Sequence, residues 1–342
     1  MHPRTKGAAL QKIDEWQSVD RGVFENEIFP ANRPAVLRGL LRNWPVVQAG
    51  RQSPTSAANY LKRFDTGGTV NSFVGRPEIK GRFFYSDDFQ GFNFDSIDVS
   101  ISTALDTLVS VAEDPEPPAI ALQAIYVPDI MPSFPAENAM PLLDRTIAPR
   151  IWISSRSMIA AHFDVNHNVA CVVSGSRRFT VFPPEQVGNL YIGPLLTTPG
   201  GPPISVVDLR APDHEKFPRF AEALKSGQQA VLEPGDAIYI PVLWWHGVES
   251  LDPLNILVNY WWNDALSARH DPMLSLIHTM TLMSGLPAVE RDAWRELFDC
   301  LAFQRDGNPG AHLPPDLRDV MGNLSSADRD QVIALIAKNL QR

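Results

Sequence analysis

The sequence predicts a mainly β protein, a barrel or sandwich of short strands with helices on either side of it in the chain. Two observations carry this. Between about residues 119 and 262 short β-type runs follow one another, separated by Gly, Pro, Asn and Asp. Helical spacing of apolar residues is confined to the segments before and after that block. The 30 prolines fit the same picture, because they punctuate the chain into short segments.

Taken in order, residues 8–28 read as a helix, followed by a short apolar strand, "AVLRGL", between prolines. "PTSAANYLKRF" (54–64) suggests a helix with Pro54 near its start. "RFFYSDDFQGFNFD" (82–95) alternates aromatic and polar residues and predicts irregular strands and loops, either a lid or a cover for the barrel. "ISTALDTLVSVAE" (101–113) has helical spacing, and "EDPEPPA" is a loop. The β block contains "AIALQAIYV", "RIWISS", "NVACVVSG", "RRFTVFPP", "ISVVDL", "QAVLEPGDAIYIPVLWWHGVES" and "NILVNYWW". After Asp264, "DPMLSLIHTMTLMSG", "PAVERDAWRELFDCLAFQ" and "SSADRDQVIALIAKNL" predict three helices, the last capped by Ser325 or Ser326. The expected division is 1–118 as N-terminal helices and strands, 119–264 as the barrel, and 265–342 as a helical region.

Bulk properties narrow the function. A net charge of −9 disfavours nucleic acid as the main partner, since a phosphate backbone calls for a basic face. No apolar run is long enough to span a bilayer, and the N-terminus lacks the apolar stretch of a signal peptide, so no membrane partner is expected. Two cysteines, Cys171 and Cys300, make no disulfide framework and fit a reducing, cytoplasmic setting.

The chemistry concentrates in "AHFDVNHN" (161–168). On extended backbone His162 and Asp164 share a face, whereas His167 has the opposite parity. A third ligand has to come from elsewhere, and His246 in "EPGDAIYIPVLWWHGVES" is the candidate, on the return from the turn Glu233-Pro234-Gly235-Asp236. Two histidines and one carboxylate form a facial triad that leaves three positions of an octahedral iron open. In the next strand Asn168, Ala170 and Val172 lie on one face, and Val169, Cys171 and Val173 on the other. Asn255, Leu257, Asn259 and Trp261 likewise share a face of theirs.

The motifs "HFDVNHNVACVVSGSRRFTVFPPEQVGNLY" (162–191), "LEPGDAIYIPVLWWHGVES" (232–250) and "ILVNYWW" (256–262) resemble the cupin-like JmjC family of Fe(II)/2-oxoglutarate dioxygenases, especially an asparaginyl hydroxylase among them. "RPAVLRGLLRNWPV" resembles that family's N-terminal segment, and the resemblance covers about residues 28–265. It implies a double-stranded β-helix, a jelly-roll or cupin barrel. By position it implies His162, Asp164 and His246 as iron ligands and Asn168 and Asn259 beside the cosubstrate. Arg177 stands where a lysine pairs with the distal carboxylate of 2-oxoglutarate, a role a guanidinium can fill with two hydrogen bonds. Trp261 follows Asn259 by two residues. Arg178 is expected to be a solvated strand arginine and His167 a bystander, with His214, His270, His278 and His312 structural or solvated. The C-terminal helices resemble dimerisation helices, implying a homodimer.

Two positions depart from the family pattern. Ile159 stands where the relative has a threonine three residues before the first ligand, and an apolar residue replaces a tyrosine in the strand matching "IALQ". Ser155, Ser157 or Tyr126 could substitute. The expectation is an oxygenase using Fe(II), 2-oxoglutarate and O2 to hydroxylate a protein or peptide side chain, or a small molecule. The rival is a non-catalytic metal-binding cupin acting as a sensor or binding module. Isomerase-type cupins with zinc or manganese usually show a His-x-His…Glu first motif, which is absent.

Overall fold

The computed structural model describes residues 10–264 and 272–340. The chain divides into two compact units, Met1–Asp264 and Ala265–Arg342. Among the described residues, fourteen strands of the first unit form two sheets. These are β1 (Gln11–Lys12), β2 (Asp14–Gln17), β3 (Ala35–Arg38), β4 (Thr69–Gly75), β5 (Asp95–Ser100), β6 (Ala119–Tyr126), β7 (Pro149–Ser154), β8 (Ser157–His162), β9 (His167–Ser174), β10 (Arg177–Phe182), β11 (Gln228–Leu232), β12 (Ala237–Ile240), β13 (Trp245–Ser250) and β14 (Asn255–Trp262). The smaller sheet runs β1-β11-β10-β13-β8 and the larger β2-β3-β12-β9-β14-β7-β6-β4-β5.

Strands β7–β14 make the jelly roll. Successive strands cross between the two sheets, except β10 and β11, which are neighbours in the smaller one. The expected alternation along β9 holds. Ala170 and Val172 pack inside the barrel with Phe179, Val181, Ile238, Ile240 and Leu257. Val169, Cys171 and Val173 face outward and pack with residues of the helices Pro45–Gln52, Pro54–Lys62 and Ile101–Ser110. Both faces of the strand are therefore buried, which explains its near-continuous apolar run.

The N-terminal segment differs from expectation. Residues 8–28 are not one helix; β1 pairs in parallel with β11 and β2 in parallel with β3. A strand edge presents unpaired N–H and C=O groups, and covering the edges of both sheets outweighs the local helical spacing. Only a short turn of helix, Arg21–Val23, capped by the Asp20 side chain, and a π-helical turn, Phe24–Ile28, remain. The helix Pro45–Gln52 was not expected. "ISVVDL" also differs, contributing only isolated bridges, His162 with Ile204 and Ile192 with Ser205.

In the second unit the helices Pro272–Met283, Ala288–Leu297 and Ser326–Leu340 match the predicted segments, and none contains a buried residue. No helix of the described residues is long and apolar enough to cross a membrane.

Candidate metal centre

The centre is built where β8 and β13 run side by side. His246 pairs directly with His162 across the ladder. Two residues beyond His162, the loop carrying Asp164 is fixed from three sides. The Leu243 N–H donates to the Asp164 carbonyl at 2.9 Å, the Asn263 side-chain amide donates to the Val165 carbonyl at 2.7 Å, and Phe163 packs edge-on against Trp245. These contacts fix the backbone that carries the carboxylate.

One ligand atom from each of His162, Asp164 and His246 lies within 4.8 Å of the others. The His162 Nδ1 lies 2.9 Å from the Ala160 carbonyl and the His246 Nδ1 3.1 Å from the Trp244 carbonyl. A carbonyl only accepts, so each Nδ1 carries a proton, which leaves Nε2 as the ring atom that can coordinate a metal. His246 Nε2 is 3.6 Å from Asp164 Oδ2, and that buried oxygen has no hydrogen-bond partner among the described residues. Burial raises the Asp164 carboxyl above its ordinary value, opposed by His162 and by the Trp261 indole, which lies close without completing a hydrogen bond of normal geometry. Burial, aided by His162, pushes the His246 imidazole down to about 3, so it is neutral at physiological pH. Two imidazoles and an orphaned carboxylate oxygen are the donor set that suits a divalent cation. The residues thus fit the expected metal.

Arg177 lies on the same interior face. Its register partner is Ser250, as His246 is the partner of Val181, and Phe179 and Val181 are barrel interior. His246 and Ser250 are about 13 Å apart along β13 at the usual strand rise. Arg177 is 5 % exposed, and its Nε and Nη2 have no partner among the described residues. Burial lowers it to about 9, which leaves it charged at neutral pH. Arg178, one residue on, pairs with Glu249 on the outer face, as expected of a solvated strand arginine.

Asn168 and Asn259 come together. The Trp152 indole N–H donates to Asn259 Oδ1 at 2.7 Å, and the Asn259 amide donates to Asn168 Oδ1 at 3.1 Å. His167 sits on the opposite face, with its Nδ1 3.0 Å from the Tyr239 hydroxyl and its ring against Phe29 and Trp262. It is not part of the metal cluster. His214 packs against Phe220; His270 lies outside the described residues.

Of the three candidate substitutes for the missing hydroxyls, Ser157 is the one on the interior row. It pairs with Ser250, and its Oγ is 3.2 Å from the Ser154 Oγ, which donates to Ser250 Oγ at 3.2 Å. Ser155 instead holds the Ile120 backbone, and Tyr126 is exposed. The buried serine cluster was not apparent in the sequence, because pairing between β8 and β13 shifts by one residue between His246 and Val248. That bulge returns Ile159 to the face of His162.

A cavity of about 270 Å³ opens on the centre, lined by His162, Asp164, Phe73, Phe83, Trp152 and Trp261 among others.

A cupin-like domain model matches residues 21–268. The chain is 37 % identical over 112 residues to Lysine-specific demethylase JMJ31 of Arabidopsis thaliana, covering 32 % of this chain and 20 % of that protein. It is 25 % identical over 325 residues to tRNA wybutosine-synthesizing protein 5 of Danio rerio, covering 82 % and 89 %. It is 24 % identical over 267 residues to Jumonji C domain-containing protein 5 of Drosophila melanogaster, covering 77 % and 62 %. The chain thus spans about a fifth of the length of the plant relative and most of the fish one. A jelly roll that brings two distant histidines and an aspartate together, and a family match over most of the first unit, lead to one conclusion: the chain belongs to the cupin-like domain family, in its JmjC branch.

Proposed function

We propose that the protein is an Fe(II)- and 2-oxoglutarate-dependent oxygenase that hydroxylates a protein or peptide side chain or a small molecule. One observation carries the reading. A single barrel interior holds an orphaned carboxylate oxygen grouped with two imidazoles and, on β10 opposite the far end of β13, an arginine with no counterion among the described residues. The first calls for a cation and the second for an anion. A dicarboxylate that binds the metal at one end and the arginine at the other answers both.

His162, Asp164 and His246 would hold the iron, and the bound metal with its cosubstrate supplies O2-dependent C–H oxidation. Arg177 neutralises the distal carboxylate in a site closed to water, with Ser157 and Ser250 beside it in place of the threonine and tyrosine. Asn168 and Asn259, locked by Trp152, orient polar atoms near the metal. Phe73, Phe83, Trp152 and Trp261 exclude water from the cavity in which a substrate C–H bond is placed.

Relatives named for lysine demethylation and for wybutosine synthesis at tRNA span protein and RNA substrates. The net charge of −9 favours the protein or a small molecule here. The rival, a non-catalytic metal-binding module, draws support from Ile159, which offers no hydroxyl. Anaerobic titration of the Fe(II) protein with 2-oxoglutarate separates the two. A metal-to-ligand charge-transfer band, lost in His162→Ala, is expected of the oxygenase; iron binding without that band would overturn it.

A further inference from the structure

The cavity beside the centre has one polar side chain that the proposed reaction leaves without a role. Apart from His162 and Asp164, its described lining is Phe73, Phe83, Trp152, Ile159, Ile204, Trp261, small residues and prolines, and Gln123. Gln123 also lines an outer groove that continues past Phe73 to Tyr126 and Asp129. It therefore stands where the chamber meets the outside.

The backbone is shaped to put it there. Pairing of β6 with β7 shifts between Leu122–Ile153 and Ile125–Ile151, leaving an extra residue in β6. At that bulge Ala124 has φ +52°, a left-handed conformation that a non-glycine residue adopts only at a cost. Arg150 holds the distortion, its Nη1 donating to the Ala124 carbonyl at 3.1 Å. Bulges re-aim side chains, and this one turns Gln123 toward the chamber. From the other side the loop around Gly200 closes down: a Cβ at Gly200 would lie 3.0 Å from Gln123 Oε1. The Gln123 carboxamide makes no hydrogen bond to any of the described residues. Trp152 Nε1, by contrast, is engaged with Asn259.

Charge decides what such a chamber accepts. Asp164 is its only acidic lining residue among those described, and it serves the metal. The Arg150 guanidinium lies 5.5 Å from the Trp261 ring centroid, so the aromatic face best suited to a cation already has one beside it. Aromatic walls favour a flat group, and a carboxamide offers a donor and an acceptor side by side.

We infer that Gln123 is a specificity-determining residue, reading the amide edge of a planar, uncharged group and disfavouring an alkylammonium. This rests on the reading of the cavity as the substrate chamber. The edge could belong to an open carboxamide or to a lactam ring, which share the chemistry.

The test uses the full chain and three probes: butanamide, 2-pyridone and butylammonium. Each is titrated while the indole N–H resonances of Trp152 and Trp261, assigned with Trp→Phe variants, are followed by NMR. At least one amide probe is expected to shift them and bind about tenfold tighter than butylammonium, and Gln123→Leu should remove about that factor. Gln123→Glu should turn the preference toward butylammonium. The tighter of the two amide probes identifies the source of the edge. Preference for butylammonium by the native protein, no amide binding, or amide binding indifferent to Gln123→Leu would overturn the inference. Mn(II) binding, read by electron paramagnetic resonance on the same sample, judges the metal centre separately.

Discussion

The Asp164 carboxylate and the His246 imidazole face each other 3.6 Å apart, both buried, and neither is suited to the charge the other would need for an ion pair. Burial raises the acid and lowers the base, so the pair is assembled for a third party. Asp164→Asn should therefore act in opposite directions. A carboxylate raised in the folded state destabilises the metal-free fold once pH exceeds its ordinary value of 3.8, so its removal should raise the apo melting temperature at pH 7. Metal affinity should fall by about 100-fold or more, since even the outer partners of ligands are worth 10–100-fold. Calorimetric melts with and without Mn(II) check both signs.

His246 gives a pH dependence of the apo protein. Its imidazole is depressed in the fold from 6.5 to about 3, so the unfolded chain binds the extra proton within that window. Stability should be complete above pH 6.5 and fall as pH drops toward 3. Denaturant melts across that range, compared with His246→Phe, should show a shallower acid loss in the variant.

Arg177 makes a parallel case with opposite charge. Arg177→Met should weaken 2-oxoglutarate binding by roughly 100-fold, the scale of losing charge-assisted hydrogen bonds in a buried site. It should also raise apo stability by removing a buried cation that has no ion-pair partner among the described residues. An unchanged affinity by isothermal titration would leave the arginine without its proposed role.

Gly175 sets the register that delivers Arg177. It turns β9 into β10 at φ +68°, and a Cβ there would lie 2.7 Å from the Leu254 carbonyl. Gly175→Ala should cost about 1–3 kcal/mol, measured by chemical denaturation. It should weaken 2-oxoglutarate more than metal, because β8 and Asp164 are fixed by other contacts.

The second unit invites a test of self-association. Leu274, Leu282, Val289, Phe303 and Leu335 are all more than half exposed, and the helices Pro272–Met283, Ala288–Leu297 and Ser326–Leu340 contain no buried residue. An isolated amphipathic helix gains most of its stability from packing, and a second copy of the chain would supply that surface. Sedimentation should give a dimer for the full chain and a monomer for a chain ending at Asp264. A dimer in both would remove these helices as the interface.

Much of the metal centre was legible because His162 and His246 sit in short strands bounded by apolar neighbours, with Asp164 only two residues past the first. Val169, Cys171 and Val173 set Asn168 inside and left His167 on the outer face. Arg177 was placed by resemblance, but its solitude was not visible, since lacking a partner is a property of the whole interior. Ser154, Ser250 and Gln123 were missed for one reason. Each owes its place to a bulge or a cross-strand row, and a one-residue slip in pairing leaves no mark in composition. The N-terminal strands were misread as helix because their partners, β11 and β3, are chosen by the edges of finished sheets.

The pairing of His162 with His246 has a further consequence in time. The two are more than eighty residues apart in the chain yet neighbours in one ladder. Closing so long a loop costs entropy before any contact rewards it, and a nascent chain holds half a site until β13 has been made. A metal ion captured there would bridge the two ends much as a covalent cross-link does. It would slow unfolding at the seam between β8 and β13, so that the ion would also serve as a late rivet in the barrel's assembly.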